Sequence, residues 1–124
     1  MKPVLTVLFT LLVMTGCERV YEGELQERQG GYYLPNETER FTGVNRLYYE
    51  NGQLRLEYTF KDGKPEGLVR WWYENGQLRS ENTFMYGKKE GLEREYYENG
   101  RPSVYAGLRC YSNGELVDMS NCKS

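Results

Sequence analysis

A seven-residue string, Tyr-Glu-Asn-Gly-Gln-Leu-Arg, stands at positions 49–55 and again, unchanged, at 73–79. Tyr97-Glu98-Asn99-Gly100-Arg101 carries it on at the same spacing of 24 residues. Gly43, Gly67 and Gly91 keep that period, as do Phe60 with Phe84 and Gly63 with Gly87. Self-similarity of this length constrains the fold more than anything else in the chain. Each copy is one supersecondary unit that cannot bury its apolar side alone, so the copies must stack in a row. A partial copy, Tyr111 to Leu116, follows the third after only 14 residues and reads as a shortened half-repeat.

The unit is a β-hairpin. Asn-Gly between alternating runs is the strongest short hairpin signal, because a two-residue type I′ loop needs positive φ at both central residues. Gly52, Gly76 and Gly100 are therefore expected at positive φ. With Asn75-Gly76 as a two-residue loop, Tyr73 faces Leu78, Trp71 faces Ser80 and Val69 faces Asn82 on one side of the sheet. On the other, Trp72 faces Arg79, Arg70 faces Glu81 and Leu68 faces Thr83. The copy before it gives Tyr49 with Leu54, Leu47 with Leu56 and Asn45 with Tyr58, then Tyr48 with Arg55 and Arg46 with Glu57 on the opposite side. One side thus stacks aromatic and aliphatic groups. The other carries Arg–Glu pairs and Arg beside Tyr or Trp, a contact worth about 0.5–1 kcal/mol. A longer, bulged loop would shift the register by one and spoil these pairs.

Lys61 to Gly67 and Met85 to Gly91 hold two glycines each among charges and read as turns, with Pro65 limiting the ladder of the first. Each repeat then advances the sheet by two strands, roughly 10 Å. An even period returns the same side chains to the same side, so Tyr49, Tyr73 and Tyr97 form one row and Tyr48, Trp72 and Tyr96 another. The expected fold is all-β: an elongated, single-layer antiparallel sheet of tandem hairpins.

The chain opens differently. Lys2 precedes an apolar run from Val4 to Met14, too short for a bilayer span of about 20 residues. A charged start, a short apolar core and small residues before a cut fit a secretory signal. Val13-Met14-Thr15-Gly16-Cys17 resembles a bacterial lipobox, in which the cysteine is lipidated and becomes the first mature residue. An ordinary cleaved signal and an uncleaved anchor are the alternatives. Each buried acyl methylene contributes about 0.8 kcal/mol, so several chains hold a protein on a membrane. Glu18 after the cysteine favours the outer membrane if the cell is Gram-negative. The expected organisation is a lipoprotein signal peptide over 1–16, a linker with lead-in strands over 17–40, the repeat array over 41–118 and a tail over 119–124.

Cys110 and Cys122 remain. In an oxidising compartment they can pair, pinning the tail to the last hairpin for about 2–3 kcal/mol; two free thiols are the alternative. The chain has no His, which removes the commonest general base and metal ligand. With a formal charge of −2 and Arg and Lys interspersed with Glu, there is no clustered basic face for nucleic acid. Nothing calls for a cofactor, a metal or a small-molecule substrate. Glu50, Glu74 and Glu98 flank each Asn-Gly, but carboxylates that recur with the repeat at a turn are structural rather than a hydrolytic pair. Asn36-Glu37-Thr38 is a sequon by chance.

The core shared by Gly43–Lys64, Gly67–Lys88 and Gly91–Gly100 is Gly, then paired aromatics, Glu-Asn-Gly-Gln-Leu, then Phe-x-x-Gly-Lys. It resembles the MORN repeat in its bacterial variant form, over roughly residues 25–118, with Arg28–Leu34 and Phe41–Gly43 as lead-in. The pattern breaks after Gly100: Pro102 stands for the Leu, Ala106 and Leu108 for Tyr58 and Phe60, and Gly107 interrupts the strand. The last repeat therefore reads as a cap. No catalytic constellation can be assembled, so the expected function is a non-enzymatic interaction module. Bacterial proteins of this kind are described as YwqK-like antitoxins of toxin–antitoxin systems, which implies a protein partner such as a toxin and an antitoxin or immunity role. The competing expectation is a structural, lipid-associated or cell-wall-associated lipoprotein without one dedicated partner. The expected binding row is Tyr48, Trp72 and Tyr96, with Arg55 and Arg79 beside it.

Overall fold

A computed structural model describes residues 18–104 and 107–123. The strands are β1 (Val20–Tyr21), β2 (Gln26–Arg28), β3 (Gly31–Tyr33), β4 (Gly43–Tyr48), β5 (Leu54–Lys61), β6 (Lys64–Trp72), β7 (Leu78–Met85), β8 (Lys88–Lys89), β9 (Gly91–Glu95), β10 (Leu108–Ser112) and β11 (Glu115–Val117). The main sheet has nine strands and follows chain order, β1-β4-β5-β6-β7-β9-β10-β11, with β8 beside β7. All its pairs are antiparallel except β1 with β4, which is parallel. The fold is the expected all-β ladder of hairpins, and β2 and β3 form a separate two-stranded sheet.

Two kinds of turn alternate along the ladder, and the primed ones are not where the Asn-Gly signal put them. The loop of the second repeat has three residues, Glu74, Asn75 and Gly76. Gly76 N–H donates to the Tyr73 carbonyl at 3.0 Å, and Tyr73 N–H to the Gln77 carbonyl at 2.9 Å. Gly76 is at φ 86°, while Asn75 is not among the positive-φ residues. This is a type I turn closed by a left-handed glycine, not a type I′ loop. Gly52 and Gly100 repeat it, at φ 86° and 83°. Asn75 prefers it because its side chain supplies the missing bond: Gln77 N–H donates to Asn75 Oδ1 at 2.9 Å.

The longer loop shifts the register by one, so Trp72 pairs with Leu78 rather than Arg79. The predicted register nonetheless reappears one residue on, with Trp71 opposite Ser80, Arg70 opposite Glu81 and Val69 opposite Asn82. Arg79 is the extra residue of a β-bulge that absorbs the shift. Arg55 does the same in the first repeat, where Tyr48 pairs with Leu54 and Leu47 with Leu56. The expected pairs Tyr73–Leu78, Tyr49–Leu54, Trp72–Arg79 and Tyr48–Arg55 are therefore replaced. The rest of the predicted register is formed.

Along the ladder, the two-residue loops with both central residues at positive φ are the connecting turns, Asp62-Gly63 (49°, 75°), Tyr86-Gly87 (51°, 79°) and Asn113-Gly114 (51°, 85°), and Gln29-Gly30 (49°, 69°) makes the same loop between β2 and β3. Each connecting turn is closed by a paired neighbour on either side. A residue 20 or 23 positions upstream caps each turn: Thr42 accepts from Asp62 N–H, Glu66 from Tyr86 N–H and Glu90 from Asn113 N–H. Asn113-Gly114 thus continues the series of connecting turns and does not begin a shortened fourth Asn-Gly copy. The third repeat is in fact lengthened. The Glu95 carbonyl accepts from Ser103 N–H and the Glu95 N–H donates to the Gly107 carbonyl, two partners where a regular antiparallel pair has one.

One face of the sheet, here the aromatic face, carries Leu56, Tyr58, Phe60, Val69, Trp71 and Phe84. Over the first hairpin it is covered by the N-terminal lead-in. Phe41 and Tyr32 pack against Phe60 with tilted rings, at 5.9 and 5.0 Å between centroids. Phe41 and Phe60 are buried there. The cover is locked to the first connecting turn, since Gly63 N–H donates to the Phe41 carbonyl and Tyr32 N–H to that of Gly63. The opposite, ionic face bears a chain of alternating charge. Arg46 and Glu57 meet at 2.8 Å, Glu57 and Arg70 at 3.8 Å, Arg70 and Glu81 at 2.8 Å, Glu81 and Arg94 at 3.6 Å. At the far end a disulfide joins Cys110 to Cys122, with Cα atoms 5.5 Å apart, and draws a short 3-10 turn (Met119–Asn121) against β10.

Candidate functional site

Beyond the lead-in the aromatic face is uncovered among the described residues, and there the right-handed twist of the sheet makes a groove of about 550 Å3. Its sides are Trp71, Tyr73, Tyr96 and Tyr97, and Tyr58 and Phe84 close one end. Trp71 and Tyr97 remain 37 % and 36 % exposed, a large apolar area for so small a chain. β6 places Trp71 on this face because it stands two residues from buried Val69, and Tyr73, directly after β6, continues the alternation.

The bulge puts Arg79 in the same place. In a regular ladder its side chain faces Trp72 on the ionic face. As the extra residue it turns over, and its guanidinium lies 5.7 Å from the centre of the Tyr73 ring at the groove edge. Arg55 does the same over Tyr49 at 6.0 Å. The expected stacking of these arginines on Trp72 and Tyr48 is thus corrected to their neighbours, Tyr73 and Tyr49.

The floor of the groove is polar. Asn82 and Glu93 are buried at 7 % and 5 % exposure, and Asn82 Oδ1 and Glu93 Oε2 have no hydrogen-bond donor. Lys89 donates to Glu93 Oε1 at 2.8 Å, and Arg109 stands 3.7 Å from Oε2, so the carboxylate charge is balanced while one oxygen lacks a directed bond. Arg109 also stands 3.8 Å from Glu95, and its pKa is raised, first by its hydrogen bond with Tyr111 and next by the Glu95 charge. Burial raises the Tyr58 phenol pKa, with Tyr32 adding to it.

Of the expected binding residues, Tyr96 and Arg79 line the groove, while Tyr48, Trp72 and Arg55 do not. Tyr48 is exposed and donates to Glu22 at 2.9 Å, which raises its pKa. The Trp72 carbonyl accepts from Tyr49 Oη at 2.6 Å, and the Tyr96 carbonyl from Tyr73 Oη at 2.8 Å. Asn51 and Asn75 add side-chain bonds to the Glu74 and Glu98 carbonyls, both at 2.9 Å. Each loop is therefore strapped to the next, so the Tyr49–Tyr73 row is repeat-to-repeat packing as well as groove wall. Trp71 and Tyr73 carried a usable signal, adjacent aromatics in a repeat without a lead-in of its own. Cys17, the expected lipidation site, and the signal over 1–16 lie outside the described residues.

No curated protein and no solved structure matches the chain. A family model described as MORN repeat variant matches at residues 41–62, 65–85 and 89–103, the three hairpins whose loops and straps have just been described. The hairpins at residues 41–62, 65–85 and 89–103 are MORN-variant repeats.

Proposed function

We propose that this is a non-enzymatic, lipid-anchored envelope protein whose repeat sheet engages a protein partner through the open aromatic face. The observation that carries the reading is the groove itself. Exposed Trp71 and Tyr97 beside Arg79 are the residue types that dominate binding energy at protein interfaces. An antitoxin or immunity role, with a toxin acting at the envelope as partner, is the specific form of this reading that the MORN-variant resemblance suggests.

The anchor rests on the sequence Val13 to Cys17, and the position of the described N-terminus agrees with it. Val44 N–H donates to the Arg19 carbonyl, so the chain start lies beside the first residues of β4. That is the rim of the connecting turns, where Lys61, Lys64 and Lys88 are exposed. Basic side chains on the rim nearest an acyl anchor suit an anionic membrane surface, about 1 kcal/mol for each. The same rim is what favours the second reading, a lipid-associated lipoprotein without a dedicated partner.

Affinity capture from detergent-solubilised membranes, with the intact protein beside Trp71→Ala and Tyr97→Ala variants, separates the two. One protein retained by the parent and lost from folded variants supports the interaction module. Equal recovery of lipids alone from all three sinks it. Labelling with a radioactive fatty acid checks the anchor: Cys17→Ser must abolish incorporation and release the protein from the membrane.

A further inference from the structure

The aromatic face shows what kind of chain it accepts, because the protein has already covered one part of it with its own backbone. Over the first repeat, the chain leaves the edge strand β1 and crosses the face at Glu24 and Leu25, and Asn45 Nδ2 donates to the Tyr21 carbonyl at the end of β1 at 2.9 Å and to the Gly23 carbonyl beyond it at 2.8 Å. Phe41 and Tyr32 then seat their rings against Phe60. A floor amide reads main-chain carbonyls, and neighbouring aromatic positions take side chains.

Among the described residues, the groove offers the same plan uncovered and with inverted polarity. Glu93 stands two repeats after Asn45, at the same position on the same face, and is an acceptor where Asn45 is a donor. Asn82, one repeat after Tyr58, adds a second acceptor. Both side chains are more than nine-tenths buried, and neither Asn82 Oδ1 nor Glu93 Oε2 has a donor. Buried polar atoms without partners are uncommon in folded proteins and call for a reason. Two acceptors in want of donors, under walls of Trp71, Tyr73 and Tyr97, match the N–H groups and the side chain of an extended peptide.

We infer that the groove over the second and third repeats holds an extended segment of a partner protein, bearing an aromatic or large apolar side chain, with main-chain N–H groups directed at Asn82 and Glu93. The inference rests on the protein-interaction reading and specifies its mode. Docking moves aside the long side chain of Arg79, which lines the groove and is the part of its wall with the most rotamer freedom, while Lys89 stays on Glu93. A glycan is the poorer match, since what the lead-in shows is complementarity of this face to polypeptide.

The test pans a phage-displayed library of random linear peptides on the full-length protein and on three variants, Trp71→Ala, Asn82→Leu and Tyr48→Ala. Thermal melts establish that each is folded. The expected result is a consensus with an aromatic position that enriches on the parent. Its synthetic peptide should perturb the Trp71 indole and Asn82 amide signals in NMR titration. Affinity should fall at least about tenfold in Trp71→Ala and stay unchanged in Tyr48→Ala, whose side chain is on the other face. Asn82→Leu removes an acceptor that has no partner in the empty groove, so it should melt no lower than the parent yet bind the peptide more weakly. No enrichment, equal binding by Trp71→Ala, or displacement by soluble peptidoglycan fragments overturns the inference. Were membrane capture to return a Trp71-dependent partner while no linear peptide binds, the interaction module would stand and only the extended mode would fall.

Discussion

Gly63 and Gly87 hold the same place in successive connecting turns, with the same left-handed backbone, yet their surroundings differ. A Cβ on Gly87 meets only the flexible Lys64 side chain, at 3.5 Å. A Cβ on Gly63 meets the Tyr32 backbone nitrogen and oxygen and Arg40 Cβ, all at 3.1 Å. Gly87→Ala should therefore cost about 1–2 kcal/mol, the penalty of a left-handed alanine. Gly63→Ala should cost distinctly more and loosen the lead-in as well. Urea unfolding measures the first, and hydrogen exchange at Tyr32 and Gly63 the second; equal costs would show that the lead-in contributes nothing at this turn. Tyr58 belongs to the same scale. Burial raises its phenol above the ordinary value of 10.0, so the unfolded chain loses that proton at lower pH than the folded one. Its contribution is whole below about pH 10 and disappears as pH climbs through the raised folded value. Denaturant unfolding from about pH 8 to about pH 11 should show an alkaline loss of stability that is smaller in Tyr58→Phe.

Among the elements, the ionic face tests whether the charges act as a chain or as separate pairs. Glu81 lies between Arg70 and Arg94, at 2.8 and 3.6 Å, and is the more enclosed partner of both. Its replacement by Gln leaves two arginines on neighbouring strands without the anion between them. Glu81→Gln should lose about 0.5–1 kcal/mol, the upper part of the range for exposed pairs, and the loss should shrink in high salt. A loss that ignores salt would assign the effect to packing. These pairs were legible in the sequence because residue parity alone fixes them: Arg70 and Glu81 face each other in any ladder that keeps their register. The loops that set that register were less legible. Asn-Gly pointed to a type I′ loop, but Asn75 Oδ1 bonds Gln77 N–H and favours the three-residue turn. The slip this causes is absorbed at Arg79, so the pairs beyond the bulge match the prediction while Trp72–Arg79 does not. The groove was the least visible feature. It depends on which stretch of a long-range lead-in covers which repeat, and no local period records that. Hence Tyr48 and Trp72 were favoured over Trp71 and Tyr73.

For the whole molecule, the alternation of turns gives the sheet two unlike rims. One holds the strapped loops around Asn51, Asn75 and Asn99. The other holds the connecting turns, exposed Lys61, Lys64 and Lys88, the N-terminal end of the described chain, and Tyr86 at 79 % exposure. Tyr86 is unusual there, since an aromatic residue at φ 51° occupies a place that Asp62 and Asn113 fill in the sister turns. Tyrosine is favoured at the bilayer surface, where its ring is half in apolar surroundings and its hydroxyl in water. With an acyl anchor at Cys17, the short tether before Arg19 sets this rim against the headgroups. The strands then stand away from the membrane, and the groove opens sideways to the aqueous space. The anchored protein in anionic vesicles, labelled at Tyr86→Cys or at Asn75→Cys, should report this orientation. Lipids carrying a nitroxide near the headgroup should quench the label at position 86 strongly and that at 75 weakly. Substituting Glu for Lys61, Lys64 and Lys88 together should even out the two without releasing the protein, since the acyl chains hold it and the rim only orients it. Equal quenching in the parent would mean that the sheet swings freely on its anchor, and that access to the groove is set by the partner rather than by the membrane.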